Sequence, residues 1–227
     1  VLWAAPVGVF ALAYALAAKA GAAAFGALVH YVLIVTAVGS ILWLLAYPVA
    51  VLWGGVKLGS FARSVAPAQA VAVSTQSSLA SLPAMLRSAE TLGVPVAASG
   101  VVLPLAVALF RVTGPAMNVA VVIYVAYWLG IELGPWQLGA AVAVAATTTL
   151  GAVSLPGQIS FVTSIAPIAL AAGVPVEPLL LLIAVENIPD VMRTVGNVTM
   201  DVAVTAGVAR RSGFTQTDSE QDRLLQE

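Results

Sequence analysis

The sequence predicts an all-α membrane protein, with transmembrane helices and two re-entrant helical hairpins in an inverted-repeat transport domain. Three observations predict it. Of 227 residues, 61% are hydrophobic and only 8% are charged, with a mean hydropathy of +1.03, whereas a soluble domain carries about 25% charged residues. Several apolar runs reach the ~20 residues that a spanning helix needs. Two shorter segments carry small polar clusters at their centres and are too short on either side to cross. The composition also narrows function. With no cysteine there is no disulfide framework and no thiolate metal site. A net charge of −1 gives no case for a nucleic-acid partner. The partner that the composition implies is membrane lipid.

The elements follow in order. Val1–Ala18 is apolar and closed by Lys19 and Gly21, long enough for most of one span. The chain opens inside this run without Met, so an N-terminal part is expected to be absent. No signal peptide is expected, because no basic region precedes the run. Leu28–Val56 is a second span, with Trp43, Tyr47 and Trp53 toward an interface. Residues 1–60 thus read as two transmembrane helices.

Residues 61–211 read as a transport-domain core. Hairpin 1, at 62–90, centres on Ser74-Thr75-Gln76-Ser77-Ser78. Flanks of about 11–12 residues rise only about 17 Å as helix, short of a ~30 Å hydrocarbon core. A re-entrant hairpin fits, its tip tolerated at depth where it is buried or lines a cavity. A span at 97–129 is interrupted by Arg111-Val112-Thr113-Gly114-Pro115, which predicts a broken helix. Hairpin 2, at 135–173, centres on Thr147–Gly151 and Ser154-Leu155-Pro156-Gly157. The last helix covers 175–211, and 212–227 is a polar tail. Hairpin then span, twice, is the sequence pointer to a secondary transporter with inverted repeats. Lys57, Arg63, Arg87, Arg210 and Arg211 share one side in this arrangement. The positive-inside rule makes that side, and the C-terminus, cytoplasmic.

The last helix carries the chemistry. Glu186, Asp190, Arg193, Asn197 and Asp201 are spaced by 4, 3, 4 and 4 residues, an arc of roughly 80° on a helix. One face is polar, and the rest reads as lipid-compatible. Each such charge costs about 2.5–3.5 kcal/mol at mid-bilayer, so the stripe must face protein, water or a ligand. Arg193 offers a planar fork suited to a carboxylate, or it pairs with Asp190 or Glu186. Asp190 suits an ammonium group. Ser77 and Ser78, at the ends of two half-helices, suit an anion. Pro189 leaves the carbonyl of Val185 without its helical donor. His30, alone in an apolar span, reads as structural. Ser77 or Ser78 as a hydrolase nucleophile lacks a base, since His30 is the only histidine and lies on another helix.

The chain resembles the dicarboxylate/amino acid:cation symporters, the glutamate-transporter homologues, from Ala5-Pro6-Val7-Gly8-Val9-Phe10 to about Arg210. The motif Asp190-x-x-Arg193-Thr194-x-x-Asn197-Val198-Thr199-x-Asp201 is similar to that family's last helix. Ser77-Ser78-x-x-Ser81-Leu82-Pro83 resembles its first hairpin tip, and Gly151 with Leu155-Pro156-Gly157 resembles its second. The resemblance implies a trimer, built through a scaffold largely missing here, and transport by alternating access. It implies that Arg193 binds a substrate side-chain carboxylate and Asp190 its ammonium group, favouring aspartate or glutamate over C4-dicarboxylates. It adds Thr194 and Asn197 as neutral contacts, Ser77 and Ser78 at the α-carboxylate, and Leu155 and Gly157 at an outer gate. Asp201 matches a sodium ligand, and a hard cation suits its oxygens. The chain departs from the family at Arg111–Pro115, where an asparagine and an aspartate that help build sodium sites are replaced. Arg111 reads as a tethered cation that neutralises Asp201 or offsets substrate charge. Na⁺ or H⁺ is the coupling ion, with Glu186, Asp190, Asn197 and Asp201 as candidates. No other cofactor is expected. The alternatives are a proton-coupled C4-dicarboxylate transporter, or an uncoupled exchanger or channel on the same fold.

Overall fold

A computed structural model describes residues 5–151 and 158–212, with side chains over 25–150 and 161–212. Every regular element among them is a helix. The first is α1, Ala5–Leu52. The sequence predicts two spans here, but the backbone runs through Lys19 to Leu28 without interruption. The cause is composition: this stretch is dominated by alanine, and isolated Gly21 and Gly26 cost only about 1 kcal/mol each. A 48-residue helix rises about 72 Å, more than twice a ~30 Å core. Its Phe25–Leu52 portion is long and apolar enough to cross a membrane. There Phe25, Val29, Leu33, Ile41, Leu44 and Leu52 are exposed, while Leu28, Tyr31, Val35, Ala46 and Ala50 are buried. These are the outward and inward faces of one spanning helix.

Helices α2 (Leu58–Thr75) and α3 (Ser78–Thr91) pack side by side. Only Gln76 and Ser77 join them, and Gln76 has a left-handed backbone (φ 51°). α2 starts earlier than the sequence suggests, and its 18 residues rise about 27 Å. Helices α4 (Val96–Leu109) and α5 (Thr113–Leu129) are separated by Phe110–Val112. Helices α6 (Pro135–Gly151) and α7 (Gln158–Ala171) form a second packed pair. Leu155 and Gly157 lie outside the described residues. The segment read as a single last helix is instead α8 (Glu177–Leu182) followed by α9 (Asn187–Arg211). Between them the amides of Ala184, Val185 and Glu186 bond three residues back rather than four, a tighter winding that marks a break.

The packing is reciprocal. The first pair, α2–α3, lies on α9, and the second pair, α6–α7, lies on α5. Two apolar cores result. One joins α5, α6, α7 and α8 with the first half of the described α1 face, around Tyr31, Val121, Ile165 and Leu182. The other joins α2, α3, α4 and α9, around Phe61, Met85, Leu103 and Val198. Helix α9 runs against α1 at close range. A Cβ on Gly196 would sit 3.7 Å from Trp43 N on α1 and 2.6 Å from Thr113 Cγ2 on α5, and one on Gly207 would sit 2.6 Å from Trp53 Cδ2, just past the end of α1. Small residues let membrane helices approach this closely. Consequently α9 has no lipid-facing side in its middle: every residue from Thr194 to Ala203 is buried. The lipid-compatible face expected of it meets α1, α2, α4 and α5 instead.

Candidate functional site

The polar stripe of α9 lies at the seam between the two cores. Glu186 stands at the N-cap position of α9, with no side-chain bond to the helix amides, and is 5% exposed. Pro189 falls in the first turn of α9, where its missing N–H costs least. The opening of the helix therefore begins upstream, at Ile183–Glu186. Three charges meet there. Arg193 Nη2 donates to Glu186 Oε1 at 2.8 Å, and Arg193 Nε lies 3.4 Å from Asp190 Oδ1. Arg193 Nη1 donates to Asn118 Oδ1 on α5 at 2.7 Å. The second oxygen of Glu186 accepts from Tyr31 Oη on α1 at 2.5 Å. Three helix segments thus converge on one guanidinium. Burying these charges is tolerable because each is paired, and Glu186 and Arg193 are hydrogen-bonded as well.

The rest of the stripe divides. Thr194 bonds back to the Asp190 carbonyl (3.0 Å). Asn197 Oδ1 accepts from the Thr113 amide (3.0 Å) and hydroxyl (2.9 Å), which ties it to the first residue of α5. That bond occupies one of the orphan amides at a helix start. Asp201 is 4% exposed, and its Oδ2 has no hydrogen-bond partner among the described residues. Arg111, in the gap between α4 and α5, is in electrostatic range of Asp190, Asp201 and Arg193. Among the described residues no cluster of three or more acids and histidines could hold a metal. A cation at Asp201 would need carbonyl oxygens as its other ligands.

The helix-pair ends reach the two breaks. At the first tip, Ser77 caps α3 by accepting from the Ala80 amide, and Ser78 is buried. Beside them Gln76 Nε2 donates to the Asn187 carbonyl at 3.2 Å, the start of α9. At the second, Thr149 near the end of α6 lies against Gly114, with a Cβ there 3.4 Å from Thr149 Cγ2. Each pair therefore touches the break in the other half's long helix. Deeper, Gln69 Nε2 bridges to Thr199 Oγ1 (2.9 Å) and Tyr47 Oη (3.1 Å).

The chain matches the sodium:dicarboxylate symporter family over residues 1–211. It belongs to that family. Among its relatives it is 29% identical over 207 residues to a proton/glutamate-aspartate symporter of Escherichia coli strain K12, covering 91% of this chain and 47% of that protein. It is 29% identical over 217 residues to a proton/sodium-glutamate symport protein of Bacillus subtilis strain 168, covering 92% and 48%. A third, the proton/sodium-glutamate symport protein of Bacillus caldotenax, is 30% identical over 200 residues, covering 86% and 46%. The chain spans about half the length of the relatives it matches. The relatives are named as symporters, as is the family.

Sequence reasoning reached Glu186, Asp190 and Arg193, which the structure brings together. It missed Tyr31 and Asn118, which hold them. Asn118 is a polar residue inside an apolar run, a signal in itself. Tyr31 carries none, because tyrosine in a spanning helix reads as packing. Its neighbour His30, singled out instead, is exposed and stacks at 5.7 Å on Tyr124.

Proposed function

We propose that the chain is the substrate-carrying part of a secondary active symporter that moves aspartate, glutamate or a related dicarboxylate with a cation by alternating access. The observation that carries the reading is Arg193: a largely buried guanidinium at the seam of two helix-hairpin halves, 15% exposed, with acids on two sides. Such a fork selects a carboxylate by geometry as well as charge. The glutamate and aspartate symport of the relatives supports the substrate class. In this reading Arg193 takes the side-chain carboxylate and Asp190 the ammonium group. Thr194 and Asn197 line the site. Ser77, Ser78 and the amides opening α3 face the α-carboxylate, and Leu155–Gly157 close the outer gate. The two helix pairs are re-entrant, and the halves are inverted with respect to each other. The basic end lies in the cytoplasm: Arg210 approaches Gly55, and Arg211 lies 5.6 Å over the Trp53 ring. The membrane is a bacterial-type plasma membrane, and the whole protein is a trimer through its remaining part.

Arg111 favours H⁺ over Na⁺ as the coupling ion, because a fixed cation in range of Asp201 and Asp190 opposes a mobile one. The test uses full-length protein in liposomes with labelled aspartate, glutamate, succinate and malate. Uptake of the amino acids driven by an inward proton gradient is expected. Uptake driven only by Na⁺, equal in wild type and Arg111→Ala, refutes the role of Arg111. Uptake of none of the four refutes the substrate class.

A further inference from the structure

The guanidinium proposed to bind substrate is already spoken for. Its Nη2 is on Glu186 and its Nη1 on Asn118, while Nε faces Asp190. Each terminal nitrogen keeps one further N–H, but the charge of Arg193 is already offset by Glu186 and Asp190, so a substrate carboxylate meets a guanidinium with acids on two sides. Asn118 is a neutral acceptor on another helix. Glu186 is a carboxylate presenting to the arginine the chemistry that the substrate presents. It is also held from behind, by Tyr31 on its far oxygen. We propose that Glu186 is an internal stand-in for the substrate carboxylate, that substrate binds by displacing it from Arg193, and that Tyr31 is the positioning residue that holds it in both states. The proposal rests on the reading of Arg193 as the substrate arginine.

The displacement has a chemical consequence. Once off the arginine, Glu186 is a buried acid whose remaining hydrogen-bond partner is a neutral phenol. A buried carboxylate without a cation is costly. It therefore leaves the guanidinium as a neutral acid, taking one proton from water as the substrate anion arrives. No bond other than O–H forms. The charged and titratable groups around it are Arg193 and Asp190 on α9, Tyr31 and His30 on α1, and Tyr124 on α5, with Arg111 and Asp201 in range of the same cluster. Arg193 and Arg111 stay charged. The remaining groups are separable by variants.

The test measures aspartate and glutamate binding to purified full-length protein by calorimetry, at mildly acidic and mildly alkaline pH. Wild type is expected to bind more tightly in acid, by up to about tenfold per pH unit, the slope of one proton taken up. Glu186→Gln is expected to bind about tenfold more tightly at alkaline pH, since a neutral amide competes less well than a charged partner, and to lose the slope. Tyr31→Phe is expected to gain several-fold in affinity and keep the slope, and His30→Gln to keep both. In weakly buffered solution, wild type is expected to take up close to one proton per substrate bound. Weaker binding by Glu186→Gln at both pH values makes Glu186 a brace for Arg193 and overturns the proposal. So does a slope that survives in Glu186→Gln or disappears in His30→Gln, or substrate binding without proton uptake. If wild type binds no acidic substrate at any pH, the substrate reading fails first, and this proposal falls with it.

Discussion

Arg193 is the residue on which the site turns, and its geometry makes a sharp demand. It reaches Glu186, Asp190 and Asn118 at once through three different nitrogens. A lysine supplies a point charge without the fork. Arg193→Lys is therefore expected to fold, because the charge ledger is preserved, and to lose substrate affinity by at least about tenfold. Calorimetry beside a thermal unfolding scan checks both halves. Asp201 makes the opposite demand. Its Oδ2 is buried without a hydrogen-bond partner among the described residues, and a buried charged group in that state is costly. Asp201→Asn is expected to stabilise the ion-free protein by about 1–3 kcal/mol and to abolish any stabilisation by added Na⁺. Unfolding scans with and without Na⁺ read out both effects. Of these side chains, those on α9 were legible because helical spacing alone aligns them. Tyr31 and Asn118 were not, because their importance lies in contacts across 155 and 75 residues of sequence.

At the scale of elements, close approach decides the packing. Gly196 and Gly207 sit where α9 meets Thr113 and Trp53, with no room for a methyl group. Alanine at either position gains up to about 1 kcal/mol in helix propensity but overpacks the contact, at about 1–3 kcal/mol. Gly196→Ala and Gly207→Ala are expected to lower the unfolding temperature. Gly100→Ala, in α4 with nothing within 4 Å of a built Cβ, is the control and leaves it unchanged or higher. The helix count was the least legible feature. Lys19 and Gly21 suggested an end to the first span, yet an alanine-rich helix carries single glycines at modest cost. The gap between α4 and α5 coincides with Arg111–Pro115, where glycine and proline adjoin. The tightened turns before α9 left only Pro189 as a trace, three residues downstream.

At the scale of the whole molecule, the all-helical membrane fold and the family were readable from composition and from motifs in order. The reciprocal packing was not, because apolar runs do not say which partner they bury against. That packing bears on the proposed alternating access, which we take to move the carrying unit as a rigid body. Gln76 at the first tip is hydrogen-bonded to Asn187 at the break before α9, so both belong to one unit. A short bifunctional cross-linker between Gln76→Cys and Asn187→Cys, in a cysteine-free background, is expected to leave uptake largely intact. Arrest of transport by this link shows that the tip must part from α9 during the cycle, and it rules out a rigid unit.

The same exchange of partners bears on biosynthesis. The bed for α2 and α3 is α9, and Gln69 meets Thr199 across 130 residues of chain. When the first helix pair leaves the ribosome, the α9 surface that it packs against has not yet been translated. Completion of that half waits on α9. A nascent chain arrested anywhere before Asn187 therefore presents an uncovered face to the insertion machinery and to membrane proteases, and quality control can recognise it by that face alone.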